Sequence, residues 1–145
     1  MPSTFQTPAG GFTLIELLIV VLVVAILAII IVPSYERYVT ESKIQTAQAA
    51  LVSMGIDLKQ YQQDSPTSSY VGGCPVPPPT EDFTLSCQLL SATGYTVAAT
   101  GTGPLAGFQF SLDQNGTELT VSAPSGWAHN NACWISDPQG DCATE

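Results

Sequence analysis

The feature that most limits what this chain can fold into is a run of sixteen residues, Leu17 to Val32, made only of Leu, Ile, Val and Ala. Phe12, Leu14 and Ile15 extend it upstream, broken only by Thr13 and Glu16. Ile and Val favour strands locally, but the length of the run selects a helix. Phe12 to Val32 comprises 21 residues. At 1.5 Å per residue they span about 31 Å, close to a bilayer core of roughly 30 Å. A helix that is apolar on every side needs apolar surroundings on every side, and a chain of 145 residues builds no core thick enough to wrap it. The run therefore predicts a membrane-crossing helix. A cleaved secretory signal is the rival reading. It needs basic residues before the run and an A-x-A-like site after it. Met1–Gly11 has no Lys or Arg, and the run ends in Val32-Pro33-Ser34-Tyr35, so the segment is expected to stay in the mature protein.

Charge is scarce and one-sided: 3 Lys+Arg against 12 Asp+Glu, a formal net charge of −9. Phosphate backbones are bound by clustered cations, so direct nucleic-acid binding is not expected. The length allows one globular domain. Glu16 is the anomaly, because a carboxylate inside an apolar helix costs about 2.5–3.5 kcal/mol at mid-bilayer, by analogy with Asp. Either it lies near the membrane interface or it has a cationic partner. The first basic side chain is Arg37. A partner would thus belong to another molecule or be a newly made amino terminus.

Gly11-Phe12-Thr13-Leu14-Ile15-Glu16-Leu17-Leu18, followed by the apolar run, resembles the class III signal of type IV prepilins and pseudopilins. Pro33 falls at a usual position for proline in that family. Pro33-Ser34-Tyr35-Glu36-Arg37-Tyr38-Val39 and the late Cys133-Trp134 pair are similar to the PilE-like minor pilins. The resemblance implies an α+β pilin fold: a long N-terminal helix packed on an antiparallel sheet, with a disulfide-closed C-terminal loop. It implies cleavage between Gly11 and Phe12 by a prepilin peptidase, then N-methylation of Phe12. Glu16 would pair with the Phe12 amine of a neighbouring subunit during assembly. An ammonium and a carboxylate attract strongly in low dielectric, and each relieves the other's desolvation. Gly11, lacking Cβ, would let the backbone enter a protease cleft unobstructed. The leader has no Lys or Arg, so a cytoplasmic leader and an exported domain follow from the resemblance and the cysteines, not from the positive-inside rule.

The domain organisation expected is a leader at 1–11, a transmembrane and filament-core helix at 12–33, and an exported domain at 34–145. Pro33 removes a backbone donor and is expected to kink the helix or melt a turn, which the resemblance connects with assembly. Ala47, Ala50, Leu51, Met54, Leu58 and Tyr61 form an apolar stripe, predicting an amphipathic helical half over 34–63 that packs on the sheet. Gly55 should weaken that helix slightly. Residues 64–82, with Gly72-Gly73 and the prolines Pro75, Pro77, Pro78 and Pro79, read as a stiff connecting loop. Alternating apolar residues predict about four strands over 83–123: Phe83/Leu85/Cys87/Leu89, Tyr95/Val97/Ala99, Phe108/Phe110/Leu112 and Leu119/Val121. Gln114-Asn115-Gly116-Thr117 is a hairpin turn signal, which explains Asn115 better than its match to a glycosylation acceptor pattern. Residues 124–145 form a C-terminal loop.

Cys74, Cys87, Cys133 and Cys142 allow three connectivities. Short local loops favour Cys74–Cys87 and Cys133–Cys142, which implies an oxidising compartment. His129 and Cys133 have a spacing that suits zinc, but the chain has no second His and no C-x₂-C, so no metal and no other cofactor is expected. Glu81-Asp82 reads as a solvated loop end rather than an acid/base pair, and no catalytic constellation emerges.

These features make a structural subunit the leading expectation, not an enzyme. The resemblance implies a type IV pilus subunit, specifically a minor pilin, in a filament serving adhesion, twitching motility or DNA uptake. Its partners would be other pilin subunits, the prepilin peptidase, an inner-membrane assembly platform, and membrane lipid before assembly. It would lie in the bacterial inner membrane, domain in the periplasm, and then in an extracellular pilus. The alternatives are a major pilin, a type II secretion pseudopilin, or a membrane-tethered adhesin using Trp127, Trp134 and Tyr70 as ligand anchors. Pseudopilins often use calcium where pilins use disulfides, so the two disulfides lean towards a pilin.

Overall fold

A computed structural model describes residues 11–143. The elements are α1 (Leu14–Asp64), β1 (Phe83–Leu90), β2 (Tyr95–Gly101), a short 3-10 turn (Gly103–Leu105), β3 (Gln109–Asp113) and β4 (Glu118–Ser122). The chain divides into two compact units, Met1–Arg37 and Tyr38–Glu145, and α1 contributes to both.

Among the described residues the first unit is essentially the apolar part of α1. None of its most apolar window is buried. The helix is long and apolar enough to cross a membrane. The sequence predicts a kink or a melted turn at Pro33. No turn melts: α1 continues through it. Proline's φ is itself helical, so the helix gives up one N–H bond and must accommodate the ring against the preceding turn.

In the second unit α1 presents Ile44, Ala47, Leu51, Met54 and Leu58, all fully buried, at spacings of three and four. This is the predicted stripe with corrections at its ends. Ile44 joins it, and Tyr61 stays 40% exposed. Gln48, a polar residue next to the stripe, is buried, and its Nε2 donates to the Ile135 carbonyl at 3.0 Å. Gly55 also has a packing reason the sequence does not reveal. A Cβ there would lie 2.9 Å from Tyr95 Oη and 3.2 Å from Leu112 Cδ2. Tyr95 Oη donates to the Gly55 carbonyl at 3.3 Å. Gly55→Val is thus expected to lower stability by about 2 kcal/mol, within the range for overpacking, as read from urea denaturation.

The four strands form an antiparallel meander in the order β1-β2-β3-β4. Leu85, Ala99, Phe110 and Thr120 bury their side chains in one row across the sheet.

 In register, Leu85 pairs with Ala99, Ala99 with Phe110 and Phe110 with Thr120. The predicted strands are all present, but two change phase. A bulge between Cys87 and Leu89 turns Leu89 outward, where it is 54% exposed, while Leu90 packs against the core. In β4 it is Thr120 that is buried, and Leu119 and Val121 face outward. The Thr120 hydroxyl explains the inversion. It donates to the Cys133 carbonyl at 2.7 Å and accepts the Ile135 N–H at 3.0 Å, and so seats the C-terminal loop.

The β3–β4 turn carries a polar clamp. Asp113 Oδ1 accepts the N–H groups of Asn115 (2.9 Å) and Thr117 (2.8 Å), and Gly116 takes φ +80°, which favours glycine. Desolvation pushes the Asp113 carboxyl up, but these hydrogen bonds to its charged form outweigh that and hold it below its ordinary value. A depressed carboxyl stabilises the fold above its unfolded pKa of about 3.9 and loses that contribution as pH falls through the folded value. Asp113→Ala should therefore cost about 1 kcal/mol at neutral pH, and the gap to the unsubstituted protein should narrow in acid below about pH 4. Denaturant titrations at the two pH values check this.

Candidate functional site: the N-terminal segment

The segment that the sequence singles out begins outside the helix. Gly11, Phe12 and Thr13 are non-helical and exposed, and α1 starts at Leu14 rather than at Phe12. The reason is a reciprocal cap. The Glu16 N–H donates to Thr13 Oγ1 at 3.3 Å, and Glu16 Oε2 accepts the Thr13 N–H at 3.4 Å. The Thr13 hydroxyl lies 3.5 Å from the same carboxylate oxygen. This is a capping box, in which Thr13 and Glu16 satisfy each other's otherwise orphaned donors. Its sequence signature is Thr-x-x-Glu ahead of an apolar run, here Thr13 and Glu16. The carboxylate also sits at the positive end of the helix dipole. Glu16 therefore has partners within its own chain, although none of them is a cation.

The Gly11–Phe12 bond lies just before this cap. Phe12 is 81% exposed, and nothing lies within 4 Å of where a Gly11 Cβ would stand. The bond is therefore outside the helix and exposed. The expected leader, apart from Gly11, lies outside the described residues. Pro33 belongs to the same unit, nineteen residues beyond Leu14 in the same helix.

Elsewhere the described residues assemble no chemistry. Cys74–Cys87 and Cys133–Cys142 are disulfides, with Cα separations of 6.1 and 5.7 Å. These are the two local pairings favoured from the sequence. Cys133 is thus no thiolate for zinc, and His129 Nε2 lies 3.2 Å from the Val121 carbonyl instead. Glu81-Asp82 is a loop end with Glu81 84% exposed, as expected, but Asp82 is only 26% exposed. Lys43 on α1 is paired with Asp82 and lies 3.5 Å from Glu81. The Asp82 hydrogen bond is the main cause that holds the Lys43 ammonium above its ordinary pKa, against the opposing pull of desolvation. The aromatic residues considered as ligand anchors are packing residues. Trp134 is buried and donates to the Ser111 carbonyl at 2.9 Å, Tyr70 stacks edge-on against Tyr95 at 5.1 Å, and Trp127 does the same against Phe108 at 4.8 Å. An open groove of about 530 Å³ beside the C-terminal loop has Glu118 as its single ionisable lining residue among the described residues.

Residues 8–32 match the family model described as the prokaryotic N-terminal methylation motif. Comparisons with curated proteins and with solved structures returned no match. The chain carries the class III signal of type IV pilins, and its long helix, four-stranded antiparallel sheet and two disulfides fit the pilin fold. It has the signature of a pilin- or pseudopilin-like precursor, which indicates a structural subunit and a membrane anchor before assembly.

Proposed function

We propose that this protein is a type IV pilus subunit of the minor class, cut between Gly11 and Phe12 and N-methylated on Phe12. The observation that carries the reading is the methylation motif over residues 8–32, set on an exposed, unhelical Gly11–Phe12 bond. In this reading residues 1–11 are the leader, 12–33 the membrane and filament-core helix, and 34–145 the exported domain. Partners are the prepilin peptidase, an inner-membrane assembly platform and neighbouring pilin subunits. The domain faces the periplasm, and the assembled subunit lies in an extracellular pilus serving adhesion, twitching motility or DNA uptake.

Glu16 has two partners in succession. Before assembly its carboxylate caps its own helix through Thr13. After cleavage it exchanges that bond for the Phe12 ammonium of a neighbour, which adds the charge the cap cannot supply. Pro33 permits local adjustment of the helix as subunits pack. The minor class is supported by the resemblance of Pro33 to Val39 to minor pilins. Mass spectrometry of the mature N-terminus tests the reading: it should begin at Phe12 and carry one methyl group, and a chain that begins at Met1 in the assembled fraction would overturn it.

A further inference from the structure

We infer that Tyr35 is a membrane-interface anchor that sets the depth of α1 in the bilayer, with Glu16 and the Gly11–Phe12 bond at the opposite interface. The inference rests on the reading above and adds a role for a residue that the signal itself does not include.

The uninterrupted run from Leu17 to Val32 has sixteen residues. It is about 24 Å long, shorter than a hydrocarbon core of roughly 30 Å. The helix therefore has little length to spare, and the groups at its two ends decide where it sits. With the middle of the run at the midplane, Glu16 lies about 13 Å to one side and Tyr35 about 16 Å to the other, against a half-thickness of about 15 Å. Glu16 is then just inside the hydrocarbon, where its bonds to Thr13 reduce the cost of burying its charge. Tyr35 is just outside, where an amphipathic ring with a polar tip is most favourable.

The tyrosine is free to act there. Its ring is 67% exposed, and its side chain has no hydrogen-bond or ring partner among the described residues. α1 is unbroken from Leu14 through Pro33 and Tyr35, so a constraint at residue 35 is transmitted along the helix to Glu16. Sliding the helix by one turn, about 5.4 Å, would draw either the carboxylate or the polar stretch Ser34–Arg37 deeper into hydrocarbon.

The test uses the full chain in phosphatidylethanolamine/phosphatidylglycerol vesicles. In Tyr35→Trp, fluorescence above that of the unsubstituted chain, which supplies the Trp127 and Trp134 background, is quenched by lipids brominated near the headgroup or near the chain ends. The expected result is about threefold stronger quenching by the shallow bromines, as for an interfacial indole. Equal or stronger quenching by the deep bromines would overturn the anchor. Co-reconstituted prepilin peptidase gives the second measurement: Tyr35→Ala should be cut several-fold more slowly and Tyr35→Trp at the normal rate. Unchanged cutting of Tyr35→Ala would show that Tyr35 does not set the depth. If the unsubstituted chain is not cut at all, the proposed function fails, while the quenching profile still decides the anchor.

Discussion

A Gly11→Val chain is expected to accumulate in the membrane as uncut precursor. Gly11 is exposed, outside the helix, and has nothing within 4 Å of a would-be Cβ, so the substitution removes no packing in the protein itself. Its effect must be read by the enzyme. A branched side chain next to the scissile bond obstructs a cleft shaped for bare backbone. A misfit of about 1–3 kcal/mol at the reacting bond slows cleavage by roughly 5- to 150-fold. Immunoblots should show the longer form, while the disulfides and thermal unfolding of the C-terminal domain stay unchanged. Normal processing would sink the prepilin reading.

The second large effect is expected at Glu16. Glu16→Val should be cut and methylated, yet build few or no filaments. Removing one member of a buried ion pair costs on the order of 3–5 kcal/mol, so subunit incorporation should fall by about two to four orders of magnitude. The valine also removes the cap on Thr13, so this variant alone does not separate the two roles of the carboxylate. Glu16→Gln does. A glutamine can still accept the Thr13 N–H, but it offers no charge to a neighbour's ammonium. Filament yield from Glu16→Gln should therefore be as poor as from Glu16→Val. Normal filaments from Glu16→Gln would mean that helix capping suffices and that intermolecular charge pairing is not required.

Much of the fold was legible because its signals are local. The apolar run, the stripe from Ala47 to Leu58 and the Asn115-Gly116 turn each lie within a short stretch of chain. The pairings Cys74–Cys87 and Cys133–Cys142 were legible for the same reason, since each closes a loop of few residues. The helix starts two residues later than the apolar run suggests, because the Thr13–Glu16 cap fixes its first turn. The remaining corrections involve partners distant in sequence. Gly55 reads as a weak point in a helix until Tyr95, forty residues on, is seen to occupy the space beside it. Lys43 meets Asp82 across a similar distance.

By itself, the sequence determined that one helix must lie outside any globular core, because its uniform apolarity leaves no polar face for water. It also singled out the Gly11–Phe12 bond as the proposed cut and Glu16 as a carboxylate with no cation in the apolar run beside it. Only the tertiary structure decided which side chains face inward at the margins of the domain. Gln48 and Thr120 are polar and buried, Leu119 and Val121 apolar and exposed, against the pattern that periodicity predicts. The reason is the C-terminal loop. Its backbone groups at Cys133 and Ile135 need hydrogen-bond partners where they meet the domain, and Gln48 and Thr120 provide them. Such partners are set by which segments meet in space, and no local pattern in the chain records that.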